Sequence, residues 1–205
     1  YLPPVWLEKN VINIKLDKPT GTGENDFALL LITGRTLAGA VLPQTFPAIP
    51  FDIGLGDSDV HDPVLIASYP AGFLGGVDIT KNLWISSSVA RIMKLYTFRN
   101  ELPYTEDGYS LGGTVIAQEG ASGGGIFSLK SGKLIGLIST SLLEGSTDKR
   151  DLRAISLRHI NESLEKNTGK NIRDFLAGDL EEKAIFFNTN VAPSLTKILT
   201  DTLDK

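Results

Sequence analysis

Glu119-Gly120-Ala121-Ser122-Gly123-Gly124-Gly125-Ile126-Phe127-Ser128-Leu129 is the stretch on which the fold turns: a serine set in a run of glycines, followed directly by an apolar, strand-like segment. Glycine lacks Cβ and reaches positive φ, so such a run turns tightly and can aim backbone N–H groups at one point. A nucleophilic serine needs that setting, with an exposed Oγ and donors for the oxyanion formed when a carbonyl is attacked. The plainer reading is a glycine-rich turn between two strands. What surrounds the run separates the two.

Downstream, Ser131-Gly132 predicts a hairpin turn between strands at residues 125–129 and 133–140. Upstream, residues 11–16, 27–32, 64–68, 84–95 and 114–117 read as further short strands, punctuated by turns such as 18–23 and 69–72. The run 27–32 is continuously apolar, as in a strand buried on both faces. Many short strands with glycine-rich turns predict an all-β barrel or sandwich. The character changes after Ser156, a predicted N-cap for a helix through Ile160 and Leu164 that ends near Gly169. Ile172, Phe175 and Leu176 mark a second helix stopped by Gly178. Ser194 is expected to cap a third, with Leu195, Ile198, Leu199 and Leu203 on one face. An amphipathic helical tail must pack on something, either the barrel or a partner subunit.

The 205 residues, 41% of them hydrophobic, suffice for one domain or two small ones with a true core. Cysteine is absent, which removes disulfides, thiolate chemistry and cysteine metal sites and leaves the compartment open. The formal charge of −4 comes without any basic block interleaved with aromatics, so nucleic acid is not the expected ligand. The apolar runs are too short to cross a bilayer, and Tyr1-Leu2-Pro3-Pro4 does not read as a signal peptide. Asp52, Asp57, Asp59 and Asp62 form an acidic turn whose spacing does not match a calcium loop. Gly72–Gly76 lacks the lysine of a phosphate loop, as does Gly21–Gly23. Neither a metal nor a cofactor is expected.

Asn25-Asp26-Phe27-Ala28-Leu29-Leu30 places a carboxylate before an apolar run, and Ser122 follows 96 positions after Asp26. Asp-x-Ala-Leu-Leu followed at that distance by Gly-x-Ser-Gly-Gly resembles the trypsin-like serine peptidases of the chymotrypsin double-barrel fold. Gly56-Asp57, Asp62-Pro63-Val64 through Gly72, and Ser131-Gly132-Lys133-Leu134-Ile135-Gly136-Leu137-Ile138 resemble the bacterial heat-shock-type branch, as does Arg153-Ala154-Ile155-Ser156 leading into Ile160. The resemblance runs over residues 24–165, strongest around Ser122 and weaker between 73 and 110. It implies an all-β double barrel, the first barrel incomplete here (1–50), the second carrying the nucleophile (51–157), and C-terminal helices (158–205). It also implies a polypeptide substrate and a bacterial extracytoplasmic setting. By the same resemblance, Asp26 orients the catalytic imidazole and Ser122 is the acyl-forming nucleophile. The N–H groups of Gly120 and Ser122 form the oxyanion hole. Ile116 then lies near the base of the primary specificity pocket, with Gly136, Ile138 and Ser139 along its wall, which points to a small or medium apolar residue before the cut bond. The family's proline after the second glycine is Gly125 in this chain.

The base is the difficulty. The family's histidine precedes the aspartate by some tens of residues, but only 25 residues precede Asp26 and none is histidine. The expectation is that the histidine is supplied from outside this segment, on an upstream fragment completing the first barrel. The alternative is a peptidase-like barrel without catalysis, used for binding or structure. The order Asp26, His61, Ser122 is that of subtilisin, but His61 sits in a polar turn that reads as surface. Ser122, Asp148 and His159 would follow the hydrolase order, without the crossover helices which that fold requires. His159 is expected to face solvent or to cap the terminal helix. The C-terminal helices are candidates for homo-oligomer contacts.

Overall fold

Short alternating runs account for most of the strands. The computed structural model describes residues 1–6, 23–34, 41, 43–54, 59–70, 85–98, 106–142 and 146–203. The expected strand at 11–16, the turn at 18–22 and the glycine run 72–76 lie outside the described residues, as does Gly56-Asp57. Seven strands are described: β1 (Pro63–Ser68), β2 (Ser86–Arg91), β3 (Lys94–Tyr96), β4 (Gly108–Ser110), β5 (Gly125–Ser128), β6 (Leu134–Leu142) and β7 (Asp151–Ser156). In β1 every second residue is buried, so Val64, Ile66 and Ser68 face inward, as period-two alternation requires. All strand pairs are antiparallel in one sheet of order β2-β1-β5-β6-β7-β4-β3.

The two ends of that order are consecutive in sequence. Only Ile92 and Met93 separate β2, which pairs with β1, from β3, which pairs with β4. The sheet is therefore curled into a half-barrel. Ile92 holds the corner: it is fully buried, its N–H donates to Asp62 O (3.0 Å), and its carbonyl accepts from His61 N–H (2.7 Å). Inside the curl, Val64, Ile66, Ile92, Ile116, Ile126, Ile138 and Leu152 form the core. Each such side chain contributes about 1.5–3 kcal/mol on burial.

The expected all-β double barrel is overturned. Of the described residues 29% are helical and 24% are in strands, and one seven-stranded half-barrel sheet stands where two barrels were expected. The run 27–32 is not a strand: Leu30 is 90% exposed and Ile32 61%. Hydrophobicity signals a tendency to be buried, but it names no pairing partner. Residues 114–117 form a turn, closed by Ala117 N–H on Thr114 O (2.9 Å), and the short β4 went unforeseen.

Four helices follow: α1 (Leu157–Thr168), α2 (Ile172–Leu176), α3 (Leu180–Phe186) and α4 (Ala192–Leu203). Ser156 caps α1 as expected, and Gly169, at φ +71°, follows its end. Asn171 caps α2 and Asp179 caps α3, each accepting from the N–H three residues on. The Asp179-x-x-Glu182 spacing is a start signal that the sequence reading passed over. α3 runs through a π-helical turn (Phe187–Val191) into α4, so Ser194 lies inside α4 and does not cap it.

Contacts divide the chain into two units: Tyr1–Gly21, Phe27–Ala48 and Ser163–Lys205 form one, Thr22–Asp26 and Ile49–Glu162 the other. In the first, the Tyr1 ring lies 5.8 Å from that of Phe175, edge-on, and 6.4 Å from that of Phe27. In the second, fully buried Ser156 uses its hydroxyl twice, donating to Glu106 O (2.7 Å) and accepting from His159 N–H (3.1 Å). Ser156→Ala removes a cap and a hydrogen bond to the part-buried Glu106 carbonyl, and is expected to cost about 1–3 kcal/mol, read as a lower urea midpoint with unchanged m.

Candidate functional site

Two successive turns present Ser122. The first spans Gln118 to Ala121, closed by Ala121 N–H on Gln118 O (3.2 Å), and the second spans Ala121 to Gly124, closed by Gly124 N–H on Ala121 O (3.0 Å). The third residue of each is a glycine at positive φ, Gly120 at +82° and Gly123 at +81°, a position where side chains are strained. Ala121, 2% exposed, anchors the junction in the core. Ser122 is the second residue of the second turn and is exposed. Among the described residues, no hydrogen bond takes up the N–H of Gly120 or of Ser122.

The loop is fastened to β6 at one residue. Gly123 N–H donates to Ile138 O and Ile138 N–H donates to Gly124 O, both at 2.8 Å. Gly124 lies so close to β1 that a Cβ there would stand 2.5 Å from Ser68 Cβ and 2.7 Å from Ala67 O. Gly125, where the resembled family has proline, begins β5 beneath the Phe127 ring, 2.8 Å from where a Cβ would sit.

Of the other residues expected along the specificity pocket, Ile138 is the one bonded to this loop. Ile116 and Ile138 belong to the core cluster, at 0% and 3% exposure. Gly136 is buried where a Cβ would meet Ile155 O at 2.8 Å and the Tyr109 ring at 3.2 Å. Ser139 is half-buried at a bulge: Ile138 pairs with Ala154 and Thr140 with Arg153, leaving Ser139 without a partner in the register. Bulges of this kind free a backbone segment at the edge of a site.

Asp26 is exposed at the end of a turn whose N–H···O bond runs from Asp26 to Gly23 (3.1 Å). No Ser–His–Asp triad is assembled among the described residues. His61 lies exposed in the 59–62 turn, at φ +76°, and Asp62 there is held below the usual carboxylate range by the Asp59 N–H and then Lys130. His159 does not face solvent as expected. It is 6% exposed, with Nδ1 3.3 Å from Asp107 Oδ1, Nε2 3.0 Å from Glu24 O, and its ring edge-on to Phe98. Nothing in the sequence links residues 24, 107 and 159; only the fold joins them. Next to Asp107, burial pushes the Glu106 carboxyl up, against the partial opposition of Arg158. Among the described residues no cluster of His, Asp and Glu is arranged to hold a metal ion.

No family model matches the chain, and no curated protein does. Among solved structures, it is similar to Kallikrein-related peptidase 10, at 16% identity and a TM-score of 0.42, over 64% of this chain and 61% of that one. It is also similar to the inactive form of a serine-to-alanine mutant of Rv3671c from M. tuberculosis H37Rv, at 17% identity and a TM-score of 0.39, over 58% of this chain and 53% of that one. The chain thus spans between half and two thirds of the length of either structure.

Adjacent glycines should fail for different reasons. Gly123→Ala meets no atom within 4 Å and is expected to cost only the positive-φ penalty, about 1–2 kcal/mol. Gly124→Ala must displace β1 backbone and is expected to cost about 1–3 kcal/mol and to disturb amide shifts of Ala67 and Ser68. Both are read by chemical denaturation and NMR. Because Glu106 has a raised carboxyl pKa, its contribution is full below the ordinary glutamate range and is lost as pH rises through the folded value. Glu106→Gln is therefore expected to raise the melting temperature near neutral pH, with the difference vanishing below about pH 4.

Proposed function

We propose that this chain is the nucleophile-bearing part of a trypsin-like serine endopeptidase. The observation that carries the reading is an exposed Ser122 whose own N–H and that of Gly120 are not spent on other hydrogen bonds. In this reading Ser122 Oγ attacks the substrate carbonyl as a histidine takes its proton. The Gly120 and Ser122 amides stabilise the oxyanion, worth about 3 kcal/mol each. The histidine then passes the proton to the leaving amine, and water hydrolyses the acyl-enzyme. Asp26 orients the histidine and stabilises its charged form. The unpaired Ser139 segment holds substrate backbone, and apolar Ile116 and Ile138 favour a small or medium apolar residue before the cut bond. The histidine comes from a segment outside residues 1–205.

A second reading has one observation in its favour. The absence of an assembled triad among the described residues suits a peptidase-like module that binds without cleaving.

A fluorophosphonate probe separates the two. In a full-length protein that carries the missing histidine, Ser122 is expected to be labelled, with Ser122→Ala abolishing labelling and Asp26→Asn slowing it by about 10⁴. A folded full-length protein that is not labelled leaves the binding-module reading standing.

A further inference from the structure

A buried polar chain ends beneath Asp26. Asp107, 1% exposed, accepts from Thr97 Oγ1 (3.0 Å) and Phe98 N–H (2.9 Å) on one carboxylate oxygen. Its other oxygen faces His159 Nδ1 at 3.3 Å, outside the alignment of a good hydrogen bond. On the far side of the ring, Nε2 stands 3.0 Å from the carbonyl of Glu24. A carbonyl oxygen only accepts, so Nε2 carries a proton and donates. The ring is fixed in rotation by Phe98, 4.9 Å away between centroids, and its backbone by Ser156.

A buried pair of this kind returns little net stability, because desolvating both groups offsets their attraction. What it supplies is a fixed geometry at its outer end. That end is Glu24, inside the turn that Asp26 N–H closes on Gly23 O, two residues before the Asp26 carboxylate. We propose that His159, braced by Asp107 and Phe98, is the positioning residue for Asp26: it tethers the Glu24 carbonyl and so fixes where the Asp26 side chain is presented. This rests on the peptidase reading of Asp26. His159 touches no substrate in it and acts through the turn.

The test uses the full-length protein with two readouts: amide hydrogen exchange at Asp26 and the rate of fluorophosphonate labelling of Ser122. His159→Leu keeps the volume and removes the donor. It is expected to speed exchange of the Asp26 amide about tenfold, with β5 and β6 unchanged. Labelling should slow about tenfold at saturating probe, with the half-saturating concentration unchanged. His159→Gln, whose amide N–H can still reach Glu24 O, is expected to restore both readouts to within about threefold. Where the leucine variant does not fold, Asp107→Asn replaces it, since the amide oxygen still accepts from Phe98 N–H while the charge opposite Nδ1 is gone. A smaller change in the same two readouts is expected there. Unchanged Asp26 exchange or unchanged labelling in a folded variant overturns the proposal, and so does a glutamine variant no better than leucine. A wild-type protein that is not labelled overturns the peptidase reading instead, and Asp26 exchange then decides the tether alone.

Discussion

One residue of β6 fixes the loop that carries Ser122. Ile138 accepts from Gly123 and donates to Gly124 at 2.8 Å each, so its backbone is used completely on the side facing the loop. The strand then slips by one residue, which leaves Ser139 unpaired immediately beyond the attachment point. The same short segment therefore locks the serine turn and opens the backbone beside it. Were Ile138 not at 3% exposure in the core, the loop would be hinged to a moving strand. The rigidity of the candidate site is borrowed from the packing of the half-barrel, through Ile126 and Ile138 beneath it and Ala121 within it.

The glycines around Ser122 do not make this loop a flexible linker. Two of them accept a positive φ that lets the chain reverse twice within seven residues, and Gly124 admits β1 at a distance that no Cβ allows. Each carries an entropic cost of up to about 1 kcal/mol relative to alanine. That cost is sustained only because every reversal ends on a formed backbone hydrogen bond: Ala121 to Gln118, Gly124 to Ala121, Gly123 to Ile138. The amides of Gly120 and Ser122 stand outside this set, so the order of the loop does not depend on them.

The parts legible in the sequence are those set by local rules. The short run 64–68 before a turn marked β1; the Ser131-Gly132 turn, with Gly132 at φ +70°, marked the β5–β6 hairpin; Ser156 marked the start of α1. What failed was non-local. Residues 27–32 carry the composition of a buried strand, yet Leu30 is 90% exposed, because composition does not supply a neighbour to pair with. The double barrel is implied by the resemblance over residues 24–165 and by short apolar runs, which name strands without naming the sheet they join; the described residues hold one seven-stranded half-barrel sheet. β4 has three residues, too few for any periodicity to show, and is held by its pairing to β3 and β7. His159 is expected from the sequence to face solvent or to cap the terminal helix, and it is 6% exposed. Its burial depends on Asp107 and Glu24, 52 and 135 positions away.

That last failure bears on how such a site is built. A carboxylate that orients a catalytic base must be held to within about half an ångström, and an exposed turn of four residues does not hold itself to that tolerance. Asp26 sits in such a turn, next to a stretch whose apolar side chains are largely exposed. One source of precision is the polar group bonded to that turn, His159, together with the buried carboxylate and hydroxyl beside it, Asp107 and Ser156. All three are buried, and each is bonded or placed by a different element: Asp107 by the Phe98 N–H after β3, His159 by α1, Ser156 by the Glu106 carbonyl before β4. An apolar packing of the same volume would be as stable or more so, but it offers no donor to a backbone carbonyl. The buried polar chain thus gives the turn a tether that the hydrophobic core alone does not provide.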